Sequence, residues 1–118
     1  SSEESTDSTT KQIGNSFVSA INGNMDDLPE ENLRHINEFC ISRPSNPKYN
    51  PVSLSLSDTK MTPLAYAIIC KEIEAVSYLL DNKADPHKGL KRSWNPMVIA
   101  CQYENNEEIV KLLLNHDA

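Results

Sequence analysis

Glycine is scarce in this chain of 118 residues, three in all, so no Gly-rich loop is available to wrap a phosphate in backbone N–H groups. Long apolar runs are missing too. No stretch comes near the ~18 consecutive apolar residues of a membrane span, and the opening SSEESTDSTT lacks the charged-then-apolar order of a secretory signal. Positive charge is in the minority, with 11 Lys and Arg against 17 Asp and Glu, a formal net charge of -6 and a pI near 4.9. Neutralising nucleic-acid phosphates or an anionic lipid surface needs a basic face, so neither nucleic acid nor membrane is an expected partner. The three cysteines, Cys40, Cys70 and Cys101, are odd in number and far apart, with no C-x-x-C pair. That spacing offers neither a disulfide framework nor a thiolate zinc site, and points to a reducing intracellular compartment, cytoplasmic or nuclear.

Catalytic signatures are absent as well. Neither H-E-x-x-H nor G-x-S-x-G occurs, and His35, His87 and His116 carry no nucleophile signature beside Cys70 or Cys101. On the helical pattern Cys101 falls in an apolar packing face and Cys70 near a helix end, so both read as structural thiols. Asp26, Asp27, Glu30 and Glu31 lack the spacing of a calcium loop and read as charge at a helix N-terminus. The expectation is a protein with no catalytic residues, no metal and no cofactor.

What the chain does contain is short helical patterns separated by prolines. Residues 1–12 hold almost nothing apolar and read as a disordered Ser/Thr/acidic tail. From residue 13, Ile13, Phe17, Val18 and Ile21 stand at helical spacing, and Asn22-Gly23-Asn24 supplies a stop. Pro29 with Glu30 and Glu31 marks the first turn of a second helix, with Leu33, Ile36, Phe39 and Cys40 as its stripe. SRPSNPKYNP ends it, and VSLSLS, residues 52–57, alternates with the period of a strand. Thr62-Pro63 then opens a helix with Leu64, Ala67 and Ile68 on its packing face. After Lys71 and Glu72 comes a second helix with Ile73, Val76, Leu79 and Leu80.

The pattern then restarts. Pro96 follows Pro63 by 33 residues, Ala100 follows Ala67 by the same interval, and Ala118 follows Ala84 by 34. A period of this length marks stacked helix pairs, none of which buries both apolar faces alone. Thr62-Pro63-Leu64, Ala67, Leu79-Leu80 and Ala84-Asp85, then Pro96, Ala100 and Glu108 to Leu114 after one extra residue in YENN, resemble the ankyrin repeat. The resemblance implies an all-α fold, an ankyrin-type α-solenoid of stacked antiparallel helix pairs with extended hairpin fingers. Its units are a divergent capping helix pair with a long finger over 13–61, a repeat over 62–94, and a second over 95–118, truncated at its end. Lys71 and Lys83 stand where the family prefers glycine, so a positive φ is expected at both.

The resemblance further implies a non-catalytic module that binds another protein or peptide through its concave surface of fingers and inner helices. The matching positions are Met61, Tyr66 and Ile69 in one unit and Lys91, Arg92, Trp94, Gln102 and Tyr103 in the next. Aromatic residues and arginine dominate binding hot spots, and the basic His87-Lys88-Gly89-Leu90-Lys91-Arg92 segment suits a partner with acidic residues. Two alternatives remain open in the sequence. The chain is also compatible with the N-terminal capping segment of a longer array, and with the regulatory ankyrin domain of a larger enzyme. Oligomeric state is not encoded in any of these patterns.

Overall fold

A computed structural model describes residues 2–42, 60–90, 95–102 and 105–116, with the backbone alone for 2–8 and Ser42. Helix α1 (Ser2–Asn22) buries Phe17, Ala20 and Ile21, with Ile13 and Val18 half-buried at the rim. It stops where the sequence stops it, the Gly23 N–H donating to the Ala20 carbonyl at 3.2 Å. Asn24 then caps a 3₁₀ turn, Met25–Asp27, its side chain accepting from the Asp26 N–H at 3.0 Å. The start of α1 differs from the expected tail over residues 1–12, since the helix runs back to Ser2. Once its apolar half is fixed against the core, each further residue adds a hydrogen bond without a new nucleus, and Glu3 and Glu4 fall at the end that favours acids.

A second difference follows Pro29. Instead of an α-helix, residues Glu30–His35 form a 3₁₀ helix with Pro29 just ahead of it. The Asn32 N–H reaches the Pro29 carbonyl at 2.9 Å and the Ile36 N–H reaches that of Leu33 at 3.2 Å. Leu33, Ile36 and Phe39 recur every three residues, the period of the tighter helix, whereas an α-helical stripe alternates three and four. The chain then passes so close to α1 that a Cβ on Gly14 would lie 2.0 Å from the Cys40 carbonyl oxygen.

Strands β1 (Ile41–Ser42) and β2 (Lys60–Met61) pair antiparallel with Ile41 opposite Met61, and Met61 bridges antiparallel to Leu90 on its other side. The strand expected at 52–57 lies outside the described residues. Thr62 links this ladder to helix α2 (Pro63–Ile69). Its Oγ1 accepts from the Ala65 N–H at 3.3 Å and donates to the Lys88 carbonyl at 2.9 Å, while its N–H donates to the Gly89 carbonyl at 3.0 Å. Pro63 occupies the first turn, where its missing N–H costs nothing.

Helix α3 (Ile73–Asp81) returns antiparallel to α2, and the pair repeats as α4 (Pro96–Cys101) and α5 (Glu107–Asn115). Asn95 takes the capping role of Thr62, its Oδ1 accepting from the Val98 N–H at 2.9 Å. The turns have the backbone expected of them, with φ of 57° at Lys71 and 74° at Lys83. Asn105, at φ 62°, is the second unit's counterpart of Lys71, displaced by the one extra residue in YENN. Asn106 absorbs that extra residue by donating its side-chain amide to the Ala100 carbonyl at 3.0 Å. Inner helix packs on inner helix, α1 on α2 and α2 on α4, and α3 packs on α5, with one continuous apolar core running through the stack.

Candidate functional site

The positions expected to face a concave groove divide sharply. Met61, Tyr66 and Ile69 are interior, 2%, 6% and 2% exposed, which corrects their assignment to the binding surface. Met61 is enclosed because it is the middle member of the ladder between Ile41 and Leu90. Tyr66 is covered because α1, three times as long as the seven-residue α2, lies along it, and Asn22 Nδ2 reaches the tyrosine hydroxyl at 2.9 Å. Ile69, at the end of α2, joins the same core, so every residue of that helix is buried. Gln102 is exposed at the end of α4. Lys91, Arg92, Trp94 and Tyr103 lie outside the described residues.

Two features of the finger side remain open to solvent. The turn after α3 is held by Asp85, whose Oδ1 accepts from the His87 N–H at 2.8 Å, and it presents His87 and Lys88 outward. A groove of about 420 Å³ runs between α1 and the finger strands, lined by Lys11, Gly14, Asn15, Val18, Cys40 and Lys60, together with Ile41. Lys11 and Lys60 are both exposed there, and none of the described lining residues is acidic.

The thiols sort by depth. Burial, reinforced by the nearby Glu38 carboxylate, pushes the Cys40 thiol up to about 11, and burial also raises Cys70. Both are held in the protonated form, the wrong state for a nucleophile. Cys101, expected in a packing face, is instead exposed. Among the described residues, no group of three His, Cys, Asp or Glu side chains is placed to hold a metal ion, and no helix is long and apolar enough to cross a membrane.

The exposure of Cys101 belongs to a surface that no motif in the sequence marks. Positions 33 residues apart up to Gln102, and 34 apart from Asn105 on, are equivalent in the two units. Ala65 is 0% exposed while its counterpart Val98 is 36%, and Leu80 is 4% exposed while Leu114 is 58%. Ile68 and Val76 are both fully buried, whereas Cys101 is exposed and Val110 half-buried. The face that α2–α3 cover with the following helix pair is therefore open on α4–α5. The periodic pattern alone carried this signal, since it marks which apolar residues must be covered from the next position along the stack.

A stack of antiparallel helix pairs joined through extended fingers, repeating at 33 to 34 residues, is a helical solenoid of the repeat-protein class. A family model of ankyrin repeats, three copies, matches residues 30–118. The chain belongs to the ankyrin-repeat family. The match starts at Glu30, so the 3₁₀ segment falls within it along with the two units that the spacing identifies. Comparison with curated proteins and with solved structures returns no significant match. Ankyrin repeats are in general protein–protein interaction modules, and they are typically non-catalytic.

Proposed function

We propose that the chain is a non-catalytic recognition module that binds a partner protein or peptide along the side where inner helices meet fingers. The observation that carries this reading is the groove between α1 and the finger strands, with Lys11 and Lys60 at its lip and no acid among the described residues that line it. Such a surface suits a segment bearing acidic residues, and His87 and Lys88 extend the basic character toward Lys91 and Arg92. Gln102, exposed at the end of α4, together with Trp94 and Tyr103, would supply contacts on the second unit. Burial of Met61, Tyr66 and Ile69 removes them from the contact set and leaves them the role of holding the finger ladder and α2 in place. Three free thiols support a reducing setting inside the cell, in cytoplasm or nucleus.

The test uses charge reversal, which leaves the core untouched. The chain, its Lys11→Glu/Lys60→Glu variant and its Arg92→Ala/Trp94→Ala variant are first compared by circular dichroism for equal helicity. Each is then titrated with fluorescent peptides from an acidic peptide library. Binding to the native chain that weakens with salt, and falls at least about tenfold in the charge-reversed variant, is the expected result. Equal binding by all three proteins would overturn the finger-side assignment.

A further inference from the structure

The groove between α1 and the finger strands specifies its occupant by shape and spacing as well as by charge. We propose that it takes an extended segment of a partner protein in which an acidic residue and an apolar residue stand three positions apart. The inference rests on the finger-side reading and deepens it by naming the partner's chemistry.

One face of α1 supplies Lys11, Asn15 and Val18 to the groove, at the i, i+4, i+7 spacing that keeps helical side chains in a row. Along that row the wall changes from a cation, through an amide, to a half-buried branched apolar side chain. Lys60 adds positive charge from the finger wall, beside Cys40 and Ile41. Seven residues of helix at about 1.5 Å each set Lys11 and Val18 roughly 10 Å apart. Three residues of extended chain cover the same distance at about 3.3 Å each. An acid at one end of such a segment meets Lys11 while an apolar side chain at the other meets Val18. Extended backbone brings N–H and C=O groups that need partners, and Asn15, exposed midway, has an amide that both donates and accepts. A helical occupant does not fit. With its width of about 10 Å, a helix spanning the row would fill roughly twice the groove's volume of about 420 Å³.

The chain does not supply this segment itself. Residues 43–59 carry Arg43 and Lys48 against a single acid, Asp58. Three positions before that acid stands Ser55, and three after it Met61, already enclosed in the finger ladder at 2% exposed. A second copy meets the requirement no better. The acids at its start, Glu3, Glu4 and Asp7, are wound into α1 and so are not extended.

The probes are short synthetic peptides with blocked ends and a neutral dye, identical in composition except where stated. One places glutamate three positions before leucine, one places leucine three positions before glutamate, one sets the two side by side, and one replaces leucine by alanine at the three-position spacing. Each is titrated with the whole native chain and with its Val18→Thr and Lys11→Glu/Lys60→Glu variants, once circular dichroism shows equal helicity. In the native chain, one of the two three-position leucine peptides should bind at least about fivefold more tightly than the adjacent and alanine peptides. That advantage should shrink in Val18→Thr, and all binding should weaken in the charge-reversed variant and with salt. The comparison among peptides needs no protein variant, so a misfolded variant leaves the test intact. Charge-dependent binding that ignores both the spacing and the leucine overturns this inference while the finger-side reading stands. Binding that does not depend on Lys11 and Lys60, or no binding by any acidic peptide, overturns both. Sedimentation of the native chain as a dimer that Lys11→Glu/Lys60→Glu dissociates also overturns the inference, assigning the groove to a second copy.

Discussion

Cys40 shows how one buried group ties the fold to solution conditions. In the unfolded chain its thiol ionises near its ordinary value of 9.0, but in the folded chain burial and Glu38 hold the proton until about 11. Between those values the unfolded state binds fewer protons than the folded one, so stability falls as pH rises through that window and is insensitive to this group below it. Cys70, raised for the same first reason, adds to the trend. The measurement is the urea midpoint of the native chain and of Cys40→Ala at about pH 8 and about pH 10, and the native chain should show the larger drop. The two lysines at positive φ illustrate a different residue-level effect. Lys71 and Lys83 hold a backbone that glycine adopts without penalty, and the sequence identified both from the places where the family prefers glycine.

Helix α1 is decided at the level of the element. Its register against the rest of the molecule depends on Gly14, since any Cβ there would fall 2.0 Å from a backbone oxygen that cannot swing aside. Gly14→Ala improves intrinsic helix propensity yet should destabilise the protein by about 1–3 kcal/mol, as overpacking does in a close-packed core. A chemical-unfolding curve for the variant reads the sign directly, and greater stability would show that α1 and Cys40 are not in contact. The elements were unequally legible beforehand. Helix α2 announced itself through a capping side chain followed by proline, Thr62-Pro63, and that cap forms, whereas α4 was marked by Pro96 alone and its Asn95 cap appears only in the structure. The 3₁₀ helix after Pro29 and the reach of α1 back to Ser2 were not legible. The first depends on a stripe whose three-residue step also fits an α-helix, and the second on an anchor outside the polar stretch itself.

For the whole molecule, the stack is tied across its units by side chains as well as by its core. Asn37, just after the 3₁₀ helix, reaches over to the turn that follows α3. Its Nδ2 donates to the Lys83 carbonyl at 3.2 Å and its Oδ1 accepts from the Asp85 N–H at 2.6 Å. Asn37→Ala leaves that N–H without its partner and should cost about 1–3 kcal/mol, with faster hydrogen exchange at the Asp85 amide as the local sign. Exchange unchanged there would mean that the cap and the repeat are not joined at this point. By itself the sequence determined the fold class, the repeat period, the cap of α2 and the strained turns. These depend on spacing and local backbone chemistry, which are written residue by residue. Tertiary structure alone decided which apolar positions are interior. Tyr66 and Ile69 hold positions expected in the groove and are shut inside, while Cys101 and Leu114 hold core positions and stand open. Periodicity tells which side of a helix a residue occupies, but burial depends on whether another element arrives to cover that side, and α1 covers α2 as no described element covers the end of α4–α5.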